Sequence, residues 1–363
     1  MAQIKKKYVI PLAAVASLLY AFAVASPVTE ETVLSLKWIK SIENGYDEQT
    51  GANEQIFPFE LGDSFGYISQ DGRFSVNRTK KAYISLSDYF WAEYGAQDDF
   101  ISVKGPRNED VFNIEDAYGY PFFLDSRSFI IHSDQNSVSQ LEMVQSGSPG
   151  TVKTAWSYDF TSPISCVDAA AGLFLAGTLD GTIELVDGAG KRLYFSEPSG
   201  SRITAIFGCA LSKDGKKIAL VSGVDKQRFI FIEQFGVSWR ITFHEFIGEG
   251  LRRNVYVMFV DNGDKVVFER EGGLGIYDVK TRSIYSVALD GEIAALDGGN
   301  NNGMLFLINS KNEYEKKLIG IKLPNTVAIE APFNSADTFL SVQDDDLFVG
   351  GRTAIASFVI EKK

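Results

Sequence analysis

Histidine is nearly absent from this chain of 363 residues, which contains only His132 and His244. Zinc hydrolases usually bind their metal through two or three imidazoles, so most sites of that kind are excluded. A Ser-His-Asp triad would need one of the same two residues. Each histidine lies in an apolar run typical of a strand, and we interpret both as strand residues without a catalytic role.

Cysteine is equally scarce, since Cys166 and Cys209 are the only two in the sequence. Two cysteines do not make a disulfide-dependent scaffold, although an oxidising compartment would permit one bridge. Each lies in an apolar run, ISCV at 164–167 and FGCA at 207–210, so we interpret them as buried free thiols. A bridge between them stays open as the alternative.

The sequence also lacks a basic stripe. It has 35 Lys and Arg against 47 Asp and Glu, which gives a formal net charge of −12. Such a surface repels phosphate and argues against nucleic acid as a partner. The acidic run at 344–346 lacks the ligand spacing of a calcium loop. We expect a solvated hairpin there, and no metal site.

The N-terminus has the composition of an export signal. Three lysines at 5–7 precede an uncharged, largely apolar stretch over 8–26, and the small residues AVA at 23–25 predict cleavage before Ser26. The stretch is also almost long enough to remain as a membrane anchor. We therefore expect residues 1–26 to be a signal peptide or signal-anchor helix. Both alternatives place the rest in the periplasm or another extracytoplasmic space, with membrane contact through 8–26 if the signal is uncleaved.

Long helical periodicity is missing as well. Beyond the N-terminal stretch, short apolar runs are separated by Gly, Asp and Asn, which is typical of all-β proteins. The clearest unit begins at Pro163 and contains four such runs joined by tight turns, at 164–168, 173–177, 182–187 and 192–195. Four antiparallel strands connected in this way make one blade of a β-propeller.

Similar units recur at the spacing of about forty to fifty residues expected for propeller blades. We recognise about seven, which begin near residues 66, 122, 163, 203, 255, 292 and 327. The sequence therefore predicts an all-β fold with a single β-propeller over 65–363. We expect seven four-stranded blades, with six or eight left open. Residues 27–64 remain as a tether, in which 33–38 is a candidate for a strand that closes the ring.

Two of these units resemble known propeller repeats. AGTLDGTIELVD at 176–187, followed by Gly190 and Lys191, resembles a repeat of the quinoprotein-like (PQQ-like) propellers. LSKDGKKIA at 211–219 is similar to repeats of WD40-like and TolB-type propellers. The resemblance implies the fold over most of 65–360.

Bacterial quinoprotein-like propellers include periplasmic dehydrogenases and non-catalytic scaffold subunits of envelope machinery. The dehydrogenases share a vicinal cysteine pair and a calcium site beside the quinone. This chain has no Cys-Cys, so the resemblance implies a non-catalytic envelope member. Resemblance of fold alone does not establish either function.

We expect a protein-binding scaffold or adaptor of the cell envelope, with envelope or periplasmic proteins as partners and with neither catalysis nor a cofactor. The alternatives are a periplasmic enzyme of quinoprotein or glycosidase type and a ligand-sensing module with a pocket in the central channel. The segment best suited to protein binding is YFWAEY at 89–94, because rigid exposed aromatics dominate interface energy. Ordinary core packing of this segment is the alternative. Its candidate binding residues are Tyr89, Phe90, Trp91 and Tyr94.

Overall fold

The structure is a computed structural model that describes most of the chain from residue 31 onward. The described ranges are 31–43, 55–79, 81, 83–95, 97–124, 126–145, 149–198, 200–248, 250–298 and 303–362. Within these ranges the protein consists of 31 strands and a single 3-10 turn at Asp261–Gly263. The signal or anchor predicted for 1–26 lies outside the described residues.

The strands follow one another as short antiparallel segments joined by tight turns. Those of the first half are β1 (Thr32–Ser41), β2 (Ile56–Leu61), β3 (Ser64–Ser69), β4 (Phe74–Arg78), β5 (Tyr83–Leu86), β6 (Trp91–Tyr94), β7 (Phe100–Lys104), β8 (Asp110–Glu115), β9 (Gly119–Leu124), β10 (Arg127–His132), β11 (Ser137–Gln145), β12 (Gly150–Asp159), β13 (Ile164–Ala170), β14 (Leu173–Thr178), β15 (Ile183–Val186) and β16 (Arg192–Ser196). Those of the second half are β17 (Ile206–Leu211), β18 (Lys217–Ser222), β19 (Gln227–Phe235), β20 (Ser238–Gly248), β21 (Val257–Val260), β22 (Lys265–Arg270), β23 (Gly273–Asp278), β24 (Ser283–Ala288), β25 (Glu292–Asp297), β26 (Met304–Ser310), β27 (Glu315–Lys322), β28 (Thr326–Asn334), β29 (Thr338–Gln343), β30 (Asp346–Gly351) and β31 (Ala354–Lys362).

Hydrogen bonding groups the described strands into seven sheets, the number of units that the sequence predicts. The largest sheet holds two four-stranded antiparallel units, β5–β8 and β9–β12, which are joined where β8 and β12 pair in parallel. Counted as blades, the described strands therefore form eight, which we number blades 1 to 8 in chain order. They are β2–β4, β5–β8, β9–β12, β13–β16, β17–β20, β21–β24, β25–β28, and β29–β31 together with β1.

Apolar packing confirms that the blades form a ring. Successive strand residues point to opposite faces, so each blade can bury both faces against its neighbours. The buried apolar side chains of the described chain form eight clusters, and each cluster joins two consecutive blades. The cluster that contains Phe57 and Phe348 joins blade 8 back to blade 1. The all-β propeller is therefore confirmed, and the described strands form eight units of three or four strands where the sequence predicts about seven.

Blade 2 (β5–β8) is the unit that the repeat count did not recognise. Its three turns, over residues 87–90, 95–99 and 105–109, contain no Asp-Gly or Asn-Gly pair. Three boundaries also differ from the prediction. The first strand of blade 5 begins at Ile206 instead of residue 203, and β28 closes blade 7 instead of opening the last unit. Blade 1 begins at Ile56, ahead of the expected domain boundary at 65.

The sequence Ser-x-Asp-Gly occurs at 69–72 and at 212–215, and it forms a turn at both places, as its residue types favour. In the β17–β18 turn the Ser212 hydroxyl donates to Asp214 Oδ1 at 2.6 Å, and Gly215 has a φ of 68°. The acidic run at 344–346 is the β29–β30 hairpin, with Asp344 in the left-handed region at a φ of 53°. Asp214 and Asp344 therefore belong to the turns that connect strands.

The ring is closed by the first strand that the structure describes. β1 pairs antiparallel with β31 from Thr32 opposite Lys362 to Ser41 opposite Ala354, and is thereby the outermost strand of blade 8. This strand contains the segment 33–38 that the sequence analysis considered for this role. Because both ends of the described chain contribute to one sheet, blade 8 holds the ring together.

Two carboxylates connect the innermost strands of consecutive blades. Asp168 on β13 accepts the backbone N–H of Leu211 on β17 at 2.7 Å. Asp297 on β25 accepts the N–H of Val342 on β29 at 2.8 Å. Both bonds join the first strand of one blade to the first strand of the next. Each bond fixes the position of one blade's first strand relative to the first strand of the next blade.

Candidate functional site

The aromatic segment at 89–94 does not form one exposed surface. Trp91 and Tyr94 are buried, because β6 lies inside blade 2 between β5 and β7 and packs on both faces. The Trp91 ring lies 5.1 Å from Phe65 of blade 1, and its indole N–H donates to the Gly105 carbonyl at 3.0 Å. These two aromatics are therefore core residues, and cannot be surface anchors as the sequence analysis suggested.

The other two residues of the segment lie in the β5–β6 turn. Phe90 is half-buried, and its ring packs 5.7 Å from Phe112 and 5.6 Å from Phe123. Tyr89 is 52% exposed, which leaves it as the member of the segment that a partner could reach. A single tyrosine at a turn is a much smaller surface than the four-residue anchor that the sequence suggested.

Both histidines lie in strands, as the sequence predicts. His132 ends β10, where its Nε2 is 2.7 Å from the hydroxyl of the buried Ser139, and His244 lies in β20. Within the described ranges, no group of three or more His, Cys, Asp or Glu side chains is placed to hold a metal ion. The described part of the chain also contains no helix with the length and apolarity needed to cross a membrane.

The two cysteines lie on the first strands of blades 4 and 5, Cys166 on β13 and Cys209 on β17, and both are free. Cys166 packs against the buried apolar cluster that contains Cys209, across the interface of the two blades. The Cys166 side chain, together with burial, raises the pKa of the Cys209 thiol well above its usual value. The thiolate is the reactive form of cysteine, so we expect Cys209 to react slowly.

We expect iodoacetamide to leave Cys209 unmodified in the native protein at neutral pH. A raised pKa means that the thiolate fraction grows only as the pH rises toward that pKa, so any alkylation should accelerate with pH. Mass spectrometry of digested protein measures the extent of modification. The same treatment in concentrated urea is the control, in which the residue should react. Rapid alkylation of the folded protein at neutral pH would contradict this assignment.

A buried carboxylate joins blades 3 and 4. Glu184 on β15 is 2% exposed and accepts the Tyr158 hydroxyl at 2.6 Å and an Arg192 N–H at 3.3 Å. Burial, followed by the hydrogen bond to Glu184, raises the pKa of Tyr158 to about 12. The tyrosine therefore keeps its proton near neutral pH. We interpret this network as a structural connection between blades.

The described surface contains an apolar groove of about 270 Å³ at the outer rim, between blades 7 and 8. The buried Leu318 forms its floor, and the half-exposed outermost strands β28 and β1 border it. Ile39 of β1 stands at its edge with 62% of its surface exposed. We call this surface the rim groove; its lining residues are Ile39, Leu318, Ala331, Pro332, Phe333, Val349, Gly351, Ala354, Ala356 and Phe358.

The rim groove is open because the outermost strands of blades 7 and 8 do not pair with each other. β1 and β28 are each the last strand of their sheet among the described residues. Between blades 2 and 3, by contrast, β8 and β12 hydrogen-bond directly at Gly150 and Phe112. The groove beside that pair, about 300 Å³, is lined by polar side chains that include Asn113, Glu115 and Lys153.

Two ion pairs lie on the strands around the rim groove. Lys37 of β1 lies 2.9 Å from Asp346, and Lys317 of β27 lies 3.0 Å from Glu330. The groove therefore has an apolar lining with ion pairs beside it. Such a surface favours an apolar ligand over an ion.

The rim groove was not predicted from the sequence. Its residues come from β1, β27, β28, β30 and β31, and Ile39 of β1 joins the others only through the pairing of β1 with β31. One sequence signal was present, because LSLKWI at 34–39 carries more apolar residues than a simple tether needs. The exposed Leu36, at 56%, extends the apolar surface along the same strand.

The eight packed blades formed by the described strands define the class of this protein as a β-propeller. The family described as beta-propeller protein matches the chain over residues 1–363, and the chain belongs to that family. An uncharacterized protein of Treponema pallidum (strain Nichols) is 26% identical to it over 303 residues, which cover 80% of this chain and 78% of the relative.

Solved structures agree with the fold. BamB from Moraxella catarrhalis superimposes with a TM-score of 0.59 at 11% identity, covering 90% of this chain and 100% of BamB. The computationally designed Ika8 protein superimposes with a TM-score of 0.56 at 14% identity, covering 85% of this chain and 97% of the design. At sequence identities this low, the two comparisons show a shared fold and nothing about function.

Proposed function

We propose that this protein is a scaffold of the cell envelope that binds partner proteins at the rim groove and performs no bond chemistry. The rim groove is the observation that carries the proposal. Solvent-facing apolar concavities of this kind mark binding sites more often than chance exposure does. A closed ring holds the groove walls rigidly, which lowers the entropy cost of binding.

The partner is an extended protein segment with apolar side chains at alternate positions. β1 and β28 both offer backbone N–H and C=O groups on edges that pair with no described strand. An incoming strand can pair with such an edge through its main chain, while every second side chain enters the adjacent groove. The apolar lining of the groove suits the apolar side chains of this segment.

The N-terminal sequence supports an envelope location for this activity. Lysines at 5–7 and the apolar stretch over 8–26 form the signal pattern that directs export. The partners are accordingly envelope or periplasmic proteins. The low content of histidine is consistent with a binding role.

A photocrosslinking amino acid at position 39 tests the proposal. We expect irradiation of cells to give covalent adducts of discrete mass at this position, and mass spectrometry to identify the attached protein. Ser286 is a matched control, because it is exposed on β24, the outermost strand of blade 6. The substitution Phe333→Glu places a charge in the groove and should abolish the adducts. Equal crosslinking from both positions, or adducts unaffected by Phe333→Glu, would refute the rim groove as the binding site.

A further inference from the structure

The β19–β20 hairpin carries an apolar tip that contributes nothing to the core. Val237 is 95% exposed, the highest value among the large apolar side chains of the described residues, and Phe235 is 50% exposed. Gly236 between them has a φ of 62°, and no atom lies within 4 Å of the position its Cβ would take. The tip therefore projects away from blade 5 into open space.

Basic side chains surround this tip. A hydrogen bond of 2.9 Å from the Gln234 N–H to the Lys216 carbonyl places the β17–β18 turn, with exposed Lys213 and Lys216, beside the hairpin. The Arg240 guanidinium lies 5.9 Å from the centre of the Phe235 ring. In a chain with a net charge of −12, this end of blade 5 concentrates positive charge.

The two carboxylates at this end are already engaged. Asp214 accepts the Ser212 hydroxyl at 2.6 Å, and Glu233 lies 3.9 Å from the guanidinium of Arg282. The three basic residues Lys213, Lys216 and Arg240 outnumber these two carboxylates at this end of the blade.

The chain enters the ring at the same face. In blade 5 the tip lies beside the turn between the first and second strands, and we call this side of the ring the first-turn face. In blade 8 the corresponding turn contains Asp345, whose carbonyl accepts the Ile360 N–H at 2.8 Å. Thr32, where β1 begins, pairs with Lys362 just beyond that bond. The apolar stretch at 8–26 thus precedes a strand that starts at the first-turn face.

We propose that the first-turn face rests on a membrane surface that contains anionic lipids, with Phe235 and Val237 inserted among the head groups. A small convex apolar tip suits a deformable lipid interface, whereas a stable protein interface buries about 800 Å² on each partner. Basic residues near an anionic leaflet are attracted to its head groups. This orientation of the ring on the membrane is argued in part from the signal anchor predicted for 8–26, and it does not depend on the rim groove.

Fluorescence of the full-length chain reconstituted in vesicles tests this proposal. An environment-sensitive fluorescent amino acid replaces Val237, and the matched control replaces Leu179, which is 51% exposed in the turn at the opposite face of blade 4. With phosphatidylglycerol in the vesicles, we expect a blue shift at position 237 and quenching there by a lipid-borne quencher. Position 179 should show neither effect. The double substitution Lys213→Glu/Lys216→Glu should remove the quenching while circular dichroism stays unchanged.

Absence of quenching at position 237, or equal quenching at both positions, would overturn the proposal. So would a spectral shift that requires added envelope proteins and fails with lipid alone, because the tip would then be a protein-docking site. Crosslinking from Ile39 is measured separately, so failure here leaves the rim groove proposal intact.

Discussion

Replacing Arg253 with methionine is expected to lower the free energy of unfolding by about 3 kcal/mol. Arg253 lies in the segment between blades 5 and 6 and donates two hydrogen bonds to Glu269 of β22, at 3.0 and 2.6 Å. The Glu269 side chain is only 3% exposed, so the substitution leaves a carboxylate buried without its cation. The Arg253 side chain is 37% exposed, which places the effect at the lower end of the range for buried pairs.

Urea denaturation followed by tryptophan fluorescence measures this loss. The control is the double substitution Arg253→Met/Glu269→Leu, which removes the carboxylate as well and replaces the ion pair with apolar packing. We expect the double variant to recover most of the stability, because the penalty arises from the uncompensated charge. A single variant as stable as the parent, or a double variant no better than the single one, would show that the pair does not hold blade 6.

Sequence reasoning predicted those blades whose turns carry a local signal. The four strands of blade 4 were placed within a few residues because Asp180-Gly181 and Gly190 lie between them, each glycine with a positive φ. Blade 2 has no such pairs, and the sequence favoured a protein-binding role for the segment that contains its aromatic strand β6. Turn chemistry is local, so it is visible in sequence; the neighbours that bury Trp91 and Tyr94 are not.

The rim groove lay beyond prediction for a related reason. Ile39 and Phe333 border the same concavity, although they lie at opposite ends of the described chain. Only the antiparallel pairing of β1 with β31 brings them together. Whether two outermost strands pair, as β8 and β12 do, or leave a groove depends on their relative tilt, which hydrophobic alternation does not encode.

The second large effect is expected from Trp38→Ala, which should lower the free energy of unfolding by about 2 to 3 kcal/mol and release β1. Trp38 lies on the ring-closing strand, and its indole N–H donates to the Gln70 carbonyl of blade 1 at 3.1 Å. Its ring contacts Phe348 at 5.9 Å between centres and covers Gly72 so closely that a Cβ there would lie 2.7 Å from the indole. The residue thus joins the last blade to the first.

Limited proteolysis distinguishes ring opening from a general loss of stability. Trp156 is the matched control, because it packs on Gly190 between blades 3 and 4 in the same manner but within the continuous chain. Both alanine variants should be less stable than the parent, yet only Trp38→Ala should be cleaved rapidly near β1 under native conditions. Gly72→Ala should produce the same cleavage, since it displaces the indole. Equal cleavage of the Trp38 and Trp156 variants would show that Trp38 does not hold β1 in the closed ring. The rim groove, which β1 borders, would then not depend on this residue.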